Sequence, residues 1–513
     1  MARSSNLINM KSRPYQYLLA GLVFALGTFS CETYYEPSTS INEETALKNA
    51  ADVETATIGT YAVLLQAAYV RSVHFLMEYP GDAVAQGQSS ADDLTRAYRY
   101  THINTSGHCA NFWGQAYKVI AAANKIIAFV PDDAPADLAQ LKGENLYLRA
   151  MMHFNLVRVF GRPYPQNNGG NPGVPLLLDG LTDEQTTTLA RSTVKQVYES
   201  VIADLVKAAG LMSVEKTNSF ASKEVAYALL SRVYLYMEDN ANAVKYADLV
   251  IGSGRYSLLT GSEYPGYFKQ VPAENKETIF AIRHTKVQDR GFSSIGSMYF
   301  SGDRSGNALG QGASGWAEIY ASQKYVDFLD KNPGDLRHSF ITPYLLGGVL
   351  QRNPKLNPTT PMYYINKYSL QEEIINLSSP VYLRLAEMYL IRAEANAKLG
   401  KTAEALADVN LLRQRAGLSG NALHTTAGLA AAGKSVLDAV LDERYLELAF
   451  EGHRAYDLFR NNRAMERNYP GTHSLNNTPT TNVTQKVLPT DPRVIFFIPQ
   501  AEVDRNSKLE QNP

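Results

Sequence analysis

Two stretches far apart in the chain repeat one pattern. After Glu238, the residues Ala243, Ala247 and Val250 follow at offsets of 5, 9 and 12, and after Gly400, Ala405, Val409 and Leu412 follow at the same offsets. Seven residues before each of these turns stands a small residue, Ser231 in one copy and Ala393 in the other. Apolar residues spaced by three and four place one face of a helix inward, and a small side chain on the preceding helix lets the two approach closely. This is the logic of a tetratricopeptide unit, about 34 residues of two antiparallel helices. Gly252 and Gly417 stand where each second helix should stop. Neither copy carries the full aromatic markers and their separation is irregular, so the pairs are expected inside a domain rather than in a regular solenoid. The expected fold class is mainly α: tetratricopeptide-like helical pairs forming a scaffold with a loop-rich, short-stranded ligand-binding face.

The rest of the helical pattern agrees. Segments Glu43–Arg71, Ala110–Val130, Ala136–Gly161, Thr193–Met212, Ser222–Glu238 and Ala241–Ile251 lack internal proline, and Val436–Phe450 and Arg454–Asn461 close the chain before a short apolar strand, Val494–Ile498. Leu146–Phe160 is apolar nearly all round, so it is expected to lie buried between other helices, with His153 as a hydrogen-bonded wall residue. Between about 255 and 378 the character changes to Gly, Ser, Asn and Pro with scattered rings: Tyr264, Tyr267, Phe268, Phe292, Tyr299, Phe300, Trp316 and Tyr320. Glu277–Arg283 reads as a strand there. A second irregular stretch, Glu78–Gly107, carries Tyr79, Asp82, Asp92, Asp93, Tyr98, Tyr100 and His102. Long irregular segments on a helical scaffold are where binding residues concentrate.

The first thirty residues read as an address. Arg3, Lys11 and Arg13 precede an apolar run from Leu18 to Phe29, and no acid appears before Glu32. That is the layout of a secretory signal, and the run is short of the ~20 residues a membrane span needs. It ends in Gly27-Thr28-Phe29-Ser30-Cys31, resembling a bacterial lipoprotein cleavage site with Cys31 as the lipidated residue; the alternative is an ordinary cleaved signal with Cys31 incidental. With Cys31 acylated, Cys109 is the remaining free thiol. Several acyl chains hold a protein firmly at a bilayer, where one is marginal. Removal of residues 1–30 takes away three positive charges and no acid, so the formal net charge moves from −1 to −4. The expected organisation is a signal peptide over 1–30, a tether over 31–42, an N-terminal helical part over 43–260, a loop-rich insertion over 261–378 and a C-terminal helical part over 379–513.

Near-balance of 49 basic and 50 acidic residues leaves no field to attract nucleic acid, and two cysteines exclude a disulfide scaffold or a multi-cysteine zinc site. Several motifs tempt. Gly428-Leu-Ala-Ala-Ala-Gly433-Lys434-Ser435 satisfies the P-loop formula, but Gly420–Ala427 is polar and broken where a buried strand should feed the loop. Gly310-Gln-Gly312-Ala-Ser-Gly315 satisfies a dinucleotide pattern without the strand–turn–helix context it needs. His102, His108 and Cys109 lack a fourth ligand and a zinc spacing, so no metal site is expected. Glu443, Glu447 and Glu451 lie along one helix edge. Paired carboxylates can do glycosidic acid–base work across a cleft, but with Arg444 and Arg454 beside them a structural ion-pair network is the favoured reading. HExxH, GxSxG and CxxC are all missing.

Four stretches, taken together and in this order, carry a resemblance. The first is Phe112-Trp113 with Tyr117, Ile120, Ala123-Asn124 and Ile127. The second is Leu148 through Gly161, followed by Gly173-Val174-Pro175-Leu176. The third runs from Glu443-Arg444 through Glu447-Leu448-Ala449-Phe450-Glu451-Gly452-His453-Arg454 to Asp457-Leu458. The fourth is Ile498-Pro499-Gln500-Ala501-Glu502-Val503-Asp504-Arg505-Asn506, continuing to Pro513. After a lipoprotein signal, they resemble the SusD/RagB family of nutrient-binding lipoproteins over essentially the whole mature chain. The resemblance implies four tetratricopeptide-like pairs backing a loop-rich face, and a lipid anchor on the outer-membrane surface. It also implies a lid docked on a SusC-like TonB-dependent transporter, capturing an oligosaccharide or a peptide without cofactor and without chemistry.

Sugar rings pack their C–H faces on aromatic rings, while Asp, Asn and Gln hold the hydroxyls. On that basis the expected ligand-binding residues are Asp82, Tyr98 and Tyr100 from the early stretch, with Tyr299, Trp316 and Tyr320 from the middle. Trp113 is excluded, since its helical spacing with Tyr117 and Ile120 makes it core. Two other functions stay open at this point: a surface glycoside hydrolase using Glu443, Glu447 and Glu451, and a helical-repeat adaptor that binds only protein.

Overall fold

In a computed structural model, residues 47–87, 93–180, 183–300, 315–353, 360–473 and 484–513 are described. Cys31, the tether, Asp92 and the Gly310–Gly312 motif lie outside the described residues. From Asn49 onward the chain packs as one unit.

The helices that build the scaffold are α1 (Ala50–Leu64), α2 (Ala67–Glu78), α3 (Asp93–Arg99), α4 (Gly107–Phe129), α5 (Ala136–Phe160), α6 (Val194–Leu211), α7 (Lys223–Met237), α8 (Asn240–Ile251), α9 (Leu385–Lys398), α10 (Thr402–Arg415), α11 (Val436–Glu447) and α12 (Arg454–Arg460), with shorter helices in the connections. From α4 to α10 each packs on its successor, and α11 closes against α9 and α10. The two repeated turns are the joints of neighbouring hairpins. Glu238 (φ 62°) and Gly400 (φ 76°) both adopt the left-handed conformation that ends a helix. Ser231 and Ala393 are fully buried, as are Ala243, Ala247, Val250, Ala405, Val409 and Leu412. The long stretch between the copies is spanned in space, because α8 packs directly on α9. Arg392 fastens this seam, reaching Asp248 at 2.7 Å on α8 and Asp408 at 2.7 Å on α10. Larger residues at these small positions force backbone shifts that cost about 1–3 kcal/mol each.

Helix α5 is buried on every side over Leu146–Phe160, lying between α4 and α6. Arg149 is held by both oxygens of Asp204 (2.8 and 2.7 Å) and donates to Asn124 Oδ1 at 2.8 Å. His153 lies in that wall, its pKa lowered to about 3, first by burial and then by Arg149.

Three expectations about elements are corrected. The single helix expected over Glu43–Arg71 is two helices, because Gln66 turns extended (ψ 137°) between α1 and α2. The early irregular stretch contains the helix α3 and the strand β1 (Val84–Gln86). Val494–Ile498 forms no strand: Phe496 N–H bonds Val159 O and Ile495 O receives His102, so no neighbouring strand is present to build a ladder. The expected strand within Glu277–Arg283 is present as β2 (Thr278–Ala281). It pairs antiparallel with Val381–Arg384 just ahead of α9, so the irregular segment leaves and rejoins the helices at one point.

Candidate functional site

The two irregular stretches singled out in the sequence meet in space. β1 pairs antiparallel with β3 (Ile319–Ala321), in the register Val84–Ala321, Ala85–Tyr320 and Gln86–Ile319. Ser322 Oγ extends the join by donating to the Asp82 carbonyl at 2.8 Å. Immediately before β3 the chain passes through a narrow gap. A side chain at Gly315 would place its Cβ 2.1 Å from the Phe300 carbonyl oxygen, so only glycine fits. Ala317 follows with φ 44°, and its N–H bonds the Ser297 carbonyl at 2.8 Å.

Between these two fixed points Trp316 is turned outward, with 53% of its surface exposed. Its indole N–H donates to the Phe292 carbonyl at 3.3 Å, and Ser297 Oγ donates to the same oxygen at 2.7 Å. The Phe292 ring, 45% exposed, meets the indole edge-on at 5.2 Å and 72°. The bond at the indole nitrogen fixes the ring in place and leaves ring surface open to solvent. An aromatic pair held this way loses little conformational freedom when a flat apolar surface packs on it. Phe292 follows Asp289-Arg290-Gly291, where exposed Asp289 accepts the Gly291 N–H at 3.0 Å. Phe292, one of the scattered rings of this segment, is not among the expected contact residues; the clue to it is the Gly-containing turn that presents it.

The other five expected contact residues are buried, which corrects that expectation. Tyr299 has no exposed surface: it stacks on Tyr368 at 5.8 Å and its hydroxyl bonds His74 Nε2 at 2.7 Å. The Tyr320 hydroxyl accepts from Asn353 Nδ2 at 3.0 Å. Tyr98 lies under the Arg467 guanidinium at 3.8 Å, and the Tyr100 hydroxyl donates to the Pro80 carbonyl at 2.6 Å. Asp82 joins Arg454 (2.7 Å) and Lys324 (2.6 Å), tying the early stretch to α12 and to the residues after β3. Burial alone raises its pKa, but the two cations outweigh burial and hold it at about 2. These residues belong to the buried packing of the two stretches. Trp113 is core, as expected.

Glu443 and Glu447 of the glutamate edge are buried as well, and Glu451 is half-buried. Glu447 accepts from Arg384 (2.6 Å), Arg415 (2.5 Å) and the Tyr264 hydroxyl (2.9 Å). Glu443 binds Arg337 and Arg413, and Glu451 binds Lys367 and Arg384. Gly428–Ser435 is the end of a short helix and the cap of α11, without a strand before it. Among the described residues no group of three or more His, Cys, Asp or Glu is placed to hold a metal ion, and no helix is long and apolar enough to cross a membrane. A recess of about 570 Å³ lies among Glu54, Ile58, Glu144, Lys216 and Phe220, with a single aromatic ring.

Comparison with known proteins agrees with this architecture. Residues 35–235 match the family described as starch-binding associating with outer membrane, and residues 342–513 match the SusD family. The chain belongs to the SusD/RagB family. The SusD-like protein P2 of Formosa agariphila is 26% identical over 474 residues, covering 87% of this chain and 90% of that protein. A SusD superfamily structure from Bacteroides thetaiotaomicron superposes with a TM-score of 0.79 at 27% identity, covering 91% of this chain and all of the other. A laminarin binding SusD-like protein superposes with a TM-score of 0.67 at 25% identity, with 91% and 100% covered. The SusD/RagB chain described here therefore belongs to a carbohydrate-binding family associated with the outer membrane.

Proposed function

We propose that this SusD-like protein captures a glycan at the cell surface on the Phe292–Trp316 platform and passes it, unaltered, to a SusC-like TonB-dependent transporter. The exposed, doubly anchored Trp316 carries the reading. A half-exposed ring pair of fixed geometry is what the C–H face of a sugar packs against. The similarity to a laminarin binding relative supports a glycan over a peptide. A lipid on Cys31 holds the chain at the outer membrane in this reading.

The reading is non-catalytic because of what surrounds the carboxylates. A glycosidic general acid needs an accessible carboxyl with a raised pKa. Glu447 is buried; burial raises its pKa, yet Arg415, Arg384 and Arg337 outweigh it and hold the group well below the usual range. It is occupied by its own cations and has no route to substrate.

Calorimetry of the full chain against laminarin oligosaccharides, starch oligosaccharides and peptides tests the proposal. Glycan binding that weakens at least about tenfold in Trp316→Ala is expected, a loss of ~1.4 kcal/mol. Unchanged affinity in that variant, or turnover of any glycan, overturns it. Copurification of a TonB-dependent barrel and loss of palmitate labelling in Cys31→Ala check the partner and the anchor.

A further inference from the structure

We propose that the pocket between α2, α5 and the Glu451–His453 turn binds a small monovalent anion of the size of chloride or formate, held by Arg158. The pocket, about 70 Å³, is lined by Tyr69, Asn155, Arg158, Arg232, Glu451 and His453 behind apolar walls that include Val73 and Ile295. A single water needs roughly 10–15 Å³, so a halide with its own water fits.

The argument is an imbalance of donors and charge. Arg158 keeps only 6% of its surface exposed. Its Nη2 reaches two neutral acceptors, Asn155 Oδ1 at 2.7 Å and Met77 Sδ at 3.2 Å, and its Nε has no partner. Among the described residues no carboxylate pairs with it. Three rings surround it instead, Phe154 at 4.9 Å, Tyr456 at 5.1 Å and Tyr236 at 5.8 Å, and these offer faces rather than a counter-charge. A buried guanidinium without an anion is strongly disfavoured.

The other charges at the pocket are already matched. Arg232 holds both oxygens of Glu387 at 2.6 Å, and Glu451 is taken by Lys367 at 2.7 Å and Arg384 at 2.8 Å. What is left over consists of donors. The Tyr69 hydroxyl receives Asn155 Nδ2 at 3.3 Å, which leaves its own proton to give. His453 has an unpartnered Nδ1 and is kept neutral, first by burial and then by Arg232 and Arg444, so its ring carries one N–H and one acceptor nitrogen, and the tautomer with the proton on Nδ1 adds a donor. Water answers the donors but not the charge; an anion answers both.

Anomalous diffraction from crystals of the protein grown in bromide at physiological ionic strength tests the assignment. A bromide peak beside Arg158 Nε is expected, together with a fall in Tm of about 2 °C or more when gluconate, too large for the pocket, replaces chloride at constant ionic strength. Arg158→Met should abolish that halide response and Tyr69→Phe should weaken it. Should Arg158→Met fail to fold, Tyr69→Phe, which removes one hydroxyl, carries the comparison. A map with only water in the pocket overturns the proposal whatever the melting curves show, and so does a halide response left unchanged in Tyr69→Phe.

Discussion

Replacing Glu447 with glutamine should destabilise the fold by about 3–5 kcal/mol, the cost of removing one partner from a buried ion pair. Glu447 belongs to a connected network of five anions and five cations: Glu277, Asp335, Glu443, Glu447 and Glu451 against Arg337, Lys367, Arg384, Arg413 and Arg415. Nine of the ten are buried and Glu451 is half-buried, and the network joins β2, the irregular segment, α10 and α11. Glu447→Gln keeps the shape but leaves one positive charge in excess and turns an amide N–H₂ toward guanidinium donors. Urea unfolding of the full chain, followed by far-ultraviolet circular dichroism, measures the loss. Arg415→Met should cost a similar amount, and the double variant should cost less than the two losses together, because Arg415 and Glu447 touch at 2.5 Å. Lys276→Gln, which breaks an exposed pair with Glu263, should leave the midpoint in place. A loss below about 1 kcal/mol for Glu447→Gln would place the network among solvated surface pairs and refute the reasoning.

Stability should also respond to pH on two limbs. Asp82 is held at about 2 against a usual 3.8, so the unfolded chain takes up the proton first; about 2 kcal/mol present at neutral pH is lost as pH falls through that interval, and Asp82→Asn should flatten this limb. Glu78 goes the other way: burial lifts its pKa to about 8 from 4.5, so the fold keeps a proton that the unfolded chain releases. Stability should therefore decline as pH rises between those values, a slope absent in Glu78→Gln if denaturation midpoints are compared across the range. Gly315→Ala forces its Cβ onto the Phe300 carbonyl, and calorimetry should show glycan affinity falling as Trp316 is displaced, with little change if the platform is not the site. Cys109 is buried with its thiol pushed up to about 12, so a thiol reagent should label it only on unfolding.

The helical scaffold was legible in the residues because helix pairing is a local rule repeated. Spacings of three and four, small residues at Ser231 and Ala393 and the turns at Glu238 and Gly400 each report on neighbours within a few residues, and all reappear as α7–α8 and α9–α10. The ion-pair reading of Glu443, Glu447 and Glu451 was right in kind but not in its partners: Arg444 pairs with Asp457 and Arg454 with Asp82, while the glutamates are met by Arg337, Lys367, Arg384, Arg413 and Arg415 from elsewhere in the chain. Exposure was not legible. Tyr98, Tyr100, Tyr299 and Tyr320 look like Trp316 in sequence, each a ring in an irregular stretch. They are buried because β1 pairs with β3 and Arg467 and Tyr368 cover them, contacts made by residues distant in the chain. The expected strand at Val494–Ile498 failed similarly, since a strand exists only if a partner lies beside it. Local pattern determines which segments coil; which rings face water is settled by who arrives from elsewhere in the chain, and burial is a property of that assembly.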